Sequence, residues 1–260
     1  QFGQISELSR QGILLLMAAG VGHFVWGRYF NMRSLAAVGS NLAGPVQQTQ
    51  LLISLTLAIV FLGETLNALK IAGILLVVSA PIYVLRSRAK AEARAKSAGA
   101  AAAPPEGDAE PAFEPRLAEG YSFAFLAALG FGTSPVLVKA ALADTGLSLV
   151  AGFISYAAAC AAVALLLLIP GLFLQVRAIK PVSLKWFAYS GVGVSFSQFF
   201  RYLALGVAPV TIVQPLQSLS LIFRMVFGYF INRDYESFDR HVIVGILMSF
   251  IGVLCLSLSL

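Results

Sequence analysis

No Asp, Glu, Lys or Arg occurs between Ser34 and Gly63, nor between Thr145 and Val176. Each of these gaps exceeds the about 20 apolar residues that cross a bilayer. Charge is scarce everywhere. Of the 260 residues 12% are charged and 58% hydrophobic, against about 25% charged in a soluble domain. That scarcity excludes an ordinary water-soluble domain. The length of the apolar runs, with no period-two alternation, excludes a β-barrel. Cysteine is nearly absent: Cys160 and Cys255 both fall in apolar spans and read as packing residues, with no disulfide or metal site. There is no glycine-rich nucleotide loop and no Ser/His/Asp, Cys/His or metal-ligand constellation. The chain therefore calls for no cofactor and offers no basis for catalysis or ATP-driven transport. The net charge of +6 is not a nucleic-acid signal, because basic residues of membrane proteins gather in cytoplasmic loops.

Apolar runs define eight spans, roughly 11–31, 35–61, 66–85, 120–139, 147–169, 186–206, 210–231 and 241–260. Interior Gly and Pro do not weaken them, since membrane helices tolerate both. Residues 86–118 differ in kind. Arg86, Arg88, Lys90, Arg94 and Lys96 precede an Ala/Pro-rich stretch that turns acidic from Glu106 to Glu114. Nothing there can bury a core, so this segment is expected to be a disordered linker. Its basic part also suits anionic lipid headgroups. The linker shares its side with Arg33, with Arg177, Lys180 and Lys185, and with Arg233 and Arg240; the opposite loops hold only Arg10, Lys70 and Lys139. The asymmetry places the linker in the cytoplasm and the C-terminus outside.

Two stretches repeat each other. Trp26-Gly27-Arg28-Tyr29-Phe30 leads to Gly44-Pro45-Val46-Gln47, Gly63-Glu64 and Gly73-Ile74-Leu75. Phe199-Phe200-Arg201-Tyr202-Leu203 leads to Gln214-Pro215-Leu216-Gln217, Arg233-Asp234 and Gly245-Ile246-Leu247. The repeat aligns the three spans before the linker with the last three of the five after it. Residues 1–85 are thus the first repeat, expected to lack about two N-terminal helices, 86–118 the linker and 119–260 the second five-helix repeat. An odd number of spans per half makes the halves oppositely oriented, which places a substrate site near the midplane between them. The fold class is an all-α membrane protein built as an inverted repeat of five-helix halves, with 3 + 5 spans in this chain.

These features resemble the drug/metabolite transporter superfamily, and its EamA-type branch in particular. Ala127 to Leu142, with Gly130-Phe131-Gly132-Thr133-Ser134-Pro135, is similar to the first helix of an EamA repeat. Pro45 to Gly63-Glu64, followed by Gly73 and an apolar helix, is similar to its fourth and fifth helices. Arg233-Asp234 departs from the usual Gly-Glu. The resemblance implies a ten-helix carrier whose first four helices per half line a central cavity. Spans 66–85 and 241–260 would then be outer helices. It does not imply a substrate, because such carriers move amino acids, sugars, phosphorylated metabolites and drugs.

Charge buried in a membrane costs at least about 2.5–3.5 kcal/mol on insertion scales, so it marks function. Arg28, Arg201 and Arg224 are the candidates, and snorkelling to the headgroups is the competing reading for the first two. No acid lies inside any span. A carrier of organic cations normally needs one; unpaired arginines suit carboxylate or phosphate instead. Amides on the same helices, Asn41 and Gln47 in one half and Gln198, Gln214 and Gln217 in the other, extend the candidate substrate site. Each of them also has the plainer use of bonding a neighbouring helix. Glu64, Asp234, Pro45 and Pro215 are gating or helix-end candidates, and His23 a candidate proton relay. Inversion is expected to send Arg28 and Arg201 toward opposite mouths. The function expected is secondary transport of a small, anionic organic metabolite across a bacterial inner or plasma membrane by alternating access, with that substrate and membrane lipids as partners. The alternatives are a flippase-like carrier of a phosphate-bearing lipid, for which Phe196, Phe199 and Phe200 beside Arg201 speak, and a non-transporting scaffold subunit.

Overall fold

The computed structural model describes residues 8–47, 49–97, 116–142, 145–179, 181–218, 220 and 240–258, and these residues form helices with no strand among them. The helices are α1 (Arg10–Gly20), a π-helical segment (Val21–Gly27), α2 (Arg28–Gln47), α3 (Thr49–Leu62), α4 (Ala68–Ser97), α5 (Leu117–Leu142), α6 (Ser148–Leu166), α7 (Pro170–Arg177), α8 (Pro181–Val207), α9 (Val210–Ser218) and α10 (Arg240–Ser257). Arg10–Val38, Leu117–Leu142 and Ser148–Leu166 are long and apolar enough to cross a membrane, and Thr49–Leu62 and Ala68–Ala80 are shorter apolar helices.

α5 is the central strut. Its buried positions are mostly small: Ala124, Ala127, Ala128, Gly130, Gly132 and Ser134. Lipid tails are as apolar as side chains, so membrane helices gain by close van der Waals approach, which small residues permit. The long first helix lies antiparallel on α5, with Gly12 beside Ala141, Gly27 beside Phe131 and Gly120 beside Val38. Ser34 Oγ donates to the Gly120 carbonyl at 2.9 Å, and Ser155 Oγ of α6 donates to the Leu16 carbonyl at 2.9 Å. The main core gathers Leu16, Val138, Val150, Tyr202, Leu205 and Val210 from both halves.

The repeat-related helices run in opposite senses. α4 and α10 are antiparallel: Gly73 packs on Gly252 and Leu256, while Ser79 to Lys90 face Met248. Glu64, just past α3, reaches the first turn of α9, and Leu51 and Leu55 cluster with Ile212 and Leu216. α8 runs parallel to α5, with Lys139 at Leu205 and Ser134 at Arg201, and is therefore opposed to the first helix. The inverted repeat is thus present in the packing.

Three boundaries differ from the hydropathy reading. The first helix continues past residue 31, to Val38 by composition. Gln47 Nε2 donates to Asn31 Oδ1; sixteen residues of straight helix would separate them by about 24 Å, so the chain folds back between them, later than residues 32–34. Arg33 and Ser34 interrupt the hydropathy without interrupting the helix, because Arg33 pairs with Glu119 at 3.4 Å. Second, α4 runs to Ser97, so residues 86–97 of the expected linker are helical. Ala, Arg, Lys and Glu are strong helix formers, and extending an existing helix needs no nucleus. Residues 98–115 of that linker lie outside the described residues. Third, α7 is an additional short helix with Pro170 at its first turn, where the missing N–H costs nothing.

Candidate functional site

Arg201 lies on α8 facing the bundle and is 4% exposed. Its Nη1 donates to Gln198 Oε1 at 2.9 Å, one helical turn back, and makes a longer contact of 3.4 Å with His23 Nδ1. Its Nη2 reaches Ser134 Oγ of α5 at 3.4 Å. A guanidinium has donors only, so the His23 contact requires Nδ1 to accept and leaves the ring proton on Nε2. Nε of Arg201 has no partner among the described residues, and no described carboxylate pairs with the side chain. Nη1 therefore carries the one close bond and Nη2 the longer Ser134 contact, and Nε is left buried without a partner among the described residues. Two parallel N–H groups on one edge match the two oxygens of a carboxylate or phosphate.

The π-helical segment positions His23. A π-turn widens the helix and is frequent at functional sites. Here it coincides with the close approach of two backbones: a methyl placed on Gly130 would sit 2.5 Å from the Gly22 carbonyl oxygen and 3.2 Å from Gly27 Cα. His23 is buried between Phe24 and Phe131, with ring centroids at 4.8 and 4.9 Å, and Phe24 stacks on Tyr156 at 4.3 Å.

Arg28 is half-buried and forms no ion pair with a described residue. Arg28 follows Gly27, which packs on Phe131, whereas Arg201 contacts Ser134 about one turn further along α5. The two arginines thus meet α5 about one turn apart, nearer in depth than opposite mouths would place them.

The remaining candidates spread over the bundle. Gln214 is buried on α9 with Oε1 unpartnered among the described residues, as are Thr211 Oγ1 on the same helix and Ser54 Oγ on the adjacent α3. Gln217 is exposed, and Gln47 is half-buried and held by Asn31. Neither Gln214 nor Gln217 hydrogen-bonds Arg201. Pro215 is buried in α9, where it removes the donor that the Thr211 carbonyl would otherwise accept. Asn41 and Pro45 belong to α2, with side chains outside the described set; Arg224 and Asp234 lie outside the described residues altogether.

Glu64 has a defined task. Gly63 ends α3 at φ 64°, a left-handed conformation that glycine adopts without penalty. This turn aims the Glu64 carboxylate at the other half. Oε1 accepts from the Val210 amide at 2.7 Å and Oε2 from the Thr211 amide at 2.9 Å. A carboxylate on the otherwise unpaired amides of a helix N-terminus is favoured by hydrogen bonding and by the helix dipole. Next to it, Lys139 Nζ donates to the Leu205 carbonyl at 3.0 Å, in the last turn of α8. The α8–α9 turn is thus held by an acid from α3 and a base from α5, each complementing its helix end. Ser134 and Tyr156 were not foreseen as site residues. Their signal was present: a hydroxyl before Pro135 in a glycine-rich membrane helix, and a lone tyrosine among the alanines of α6.

No curated protein matches. Twelve solved chains match; one, described only as a crystal structure of a protein, is 17% identical with a TM-score of 0.62 and covers 94% of this chain and 75% of its own. At that identity it establishes the fold alone. The sequence profile of the EamA-like transporter family matches residues 1–86 and 118–258. The protein is therefore a multi-pass integral membrane protein of the drug/metabolite transporter superfamily, a transporter and not an enzyme, and belongs to the EamA-like transporter family.

Proposed function

We propose that this transporter is a secondary carrier of a small organic anion, bearing a carboxylate or phosphate, and works by alternating access in a bacterial inner or plasma membrane. The observation that carries this reading is Arg201: a buried guanidinium, unpaired with any described acid, whose Nε has no partner among the described residues. Leaving a charge buried and unmatched is expensive, and an anionic cargo would supply the missing partner. Gln198 orients the fork, with His23 and Ser134 at longer contact. Arg28, at similar depth, adds a second positive charge. Gln214 with Thr211 and Ser54 offers further unpartnered polar atoms to the cargo or to water. Arg224 and Asp234 keep their proposed roles in substrate binding and at the helix end.

Alternating access fits the opposed helix pairs, with the Glu64–α9 contact as a closure between halves. The test of the carrier is flux of labelled organic anions into proteoliposomes containing the purified protein. Uptake of carboxylates or phosphates, competed by one another and reduced in Arg201→Gln, is expected. Uptake of cations only, or none across a broad anion panel, would dismiss the reading.

A further inference from the structure

The outer pair α4 and α10 encloses a groove of about 350 Å³ that the transport site does not use. Ser79, Ile82, Tyr83, Arg86, Ser87 and Lys90 of α4 line it, opposite Met248 of α10. These α4 positions recur at three- and four-residue steps, so they form one continuous stripe on the helix. The stripe changes character along its length. Its inner part, Ile82 against Met248, is apolar. Tyr83 follows, and Arg86 and Lys90 close the outer end, about 12 Å beyond Ile82 at helical rise. Both serines are already engaged within α4, Ser79 Oγ to the Leu76 carbonyl and Ser87 Oγ to the Tyr83 carbonyl. The cations have no described acid as partner.

We infer that this groove seats one anionic phospholipid, with its phosphate between Arg86 and Lys90 and one acyl chain along Ile82 and Met248. Three features favour a lipid over a soluble anion. The groove has an apolar floor. It lies on two helices that pack on each other and on α9 rather than on α5. Its order, apolar then aromatic then cationic, follows the order of a bilayer leaflet from core to headgroup, with tyrosine at the interface. The basic segment expected to touch headgroups is in fact helical here, which fixes two of its cations four residues apart on one face. Because α4 closes the first repeat and α10 the second, a lipid lodged between them would brace the halves against each other from outside.

The full chain in detergent provides the test. Phosphatidylglycerol and phosphatidylcholine with the same acyl chains, and inorganic phosphate, are added separately while thermal unfolding is followed. Phosphatidylglycerol should raise Tm; phosphatidylcholine and inorganic phosphate should not. The Arg86→Gln/Lys90→Gln variant should need about thirtyfold more phosphatidylglycerol for half its effect, the factor carried by two cations at a membrane surface. Arg177→Gln, which removes an exposed cation elsewhere on the same side, should respond as the parent does. Equal stabilisation by phosphatidylcholine, an unchanged response of the double variant, or reproduction of the shift by inorganic phosphate would each overturn the proposal. The residues changed are exposed on α4, so loss of folding is not expected; retained phosphatidylglycerol counted by native mass spectrometry gives a second, independent reading.

Discussion

Replacing Arg201 by glutamine should weaken cargo binding severely while leaving the fold at least as stable. The two effects have opposite signs because the arginine costs the empty protein and serves the loaded one. Burying the charge costs at least about 2.5–3.5 kcal/mol on insertion scales. Against this stands one well-formed bond, to Gln198 at 2.9 Å, worth about 1.5–3 kcal/mol for a charged donor. The contacts to His23 and Ser134, both 3.4 Å, lie beyond good hydrogen-bond geometry and add little. The empty variant should therefore be as stable as the parent or up to about 2 kcal/mol more so. In the loaded protein two charge-assisted bonds from the Nε–Nη2 edge are lost, together about 3–6 kcal/mol, or roughly a 10²- to 10⁴-fold rise in the cargo's Kd. Lysine keeps the charge but loses the planar fork, so Arg201→Lys should fall between the two. Thermal unfolding in detergent reads the first effect and proteoliposome flux the second. Normal anion flux in Arg201→Gln, or loss of flux and stability in equal measure, would refute the reasoning.

Other outcomes follow from single contacts. Glu64→Ala leaves the Val210 and Thr211 amides without their acceptor and should destabilise the protein by about 1–3 kcal/mol, measured by thermal unfolding; Glu64→Gln should recover part of this, and an unchanged Tm in both would mean that the α9 cap contributes nothing. Gly130→Ala forces a methyl against the Gly22 carbonyl and should cost about 1–3 kcal/mol. Gly22→Ala, with nothing within 4 Å of the added carbon, should be neutral or stabilising by up to about 1 kcal/mol; the opposite ranking in thermal unfolding would contradict the helix contact. A single cysteine at Ser97, at the end of α4, should resist an impermeant thiol reagent in intact cells and react after permeabilisation, since the basic end of α4 is expected to be cytoplasmic. Labelling from outside would reverse the topology.

Much of the architecture follows from sequence alone, for a strong physical reason. In lipid a spanning chain must satisfy its backbone internally, so long apolar runs have to be helices. The repeat of Arg28 with Arg201 and of Pro45 with Pro215, with an odd number of spans per half, then dictates inverted halves. Helix ends were less legible. Hydropathy ends the first span near Arg33, but Glu119, 86 residues away, pairs with that arginine and the helix continues. Hydropathy likewise cannot see that the basic run after residue 85 extends an existing helix to Ser97. At the candidate site, the sequence singles out Arg201, His23 and Gln198 as polar groups that are costly in lipid. Only tertiary packing brings His23, 178 residues from Arg201, to its Nη1 and Ser134 to its Nη2, leaving Nε open. The same holds for Glu64: its place after Gly63 marks a helix end, but its partners at Val210 and Thr211 exist only because the halves are inverted. Local periodicity and the solvation cost of charge are written along the chain. Which side chains meet depends on how whole helices pack, and that is decided by small residues at contacts far apart in sequence.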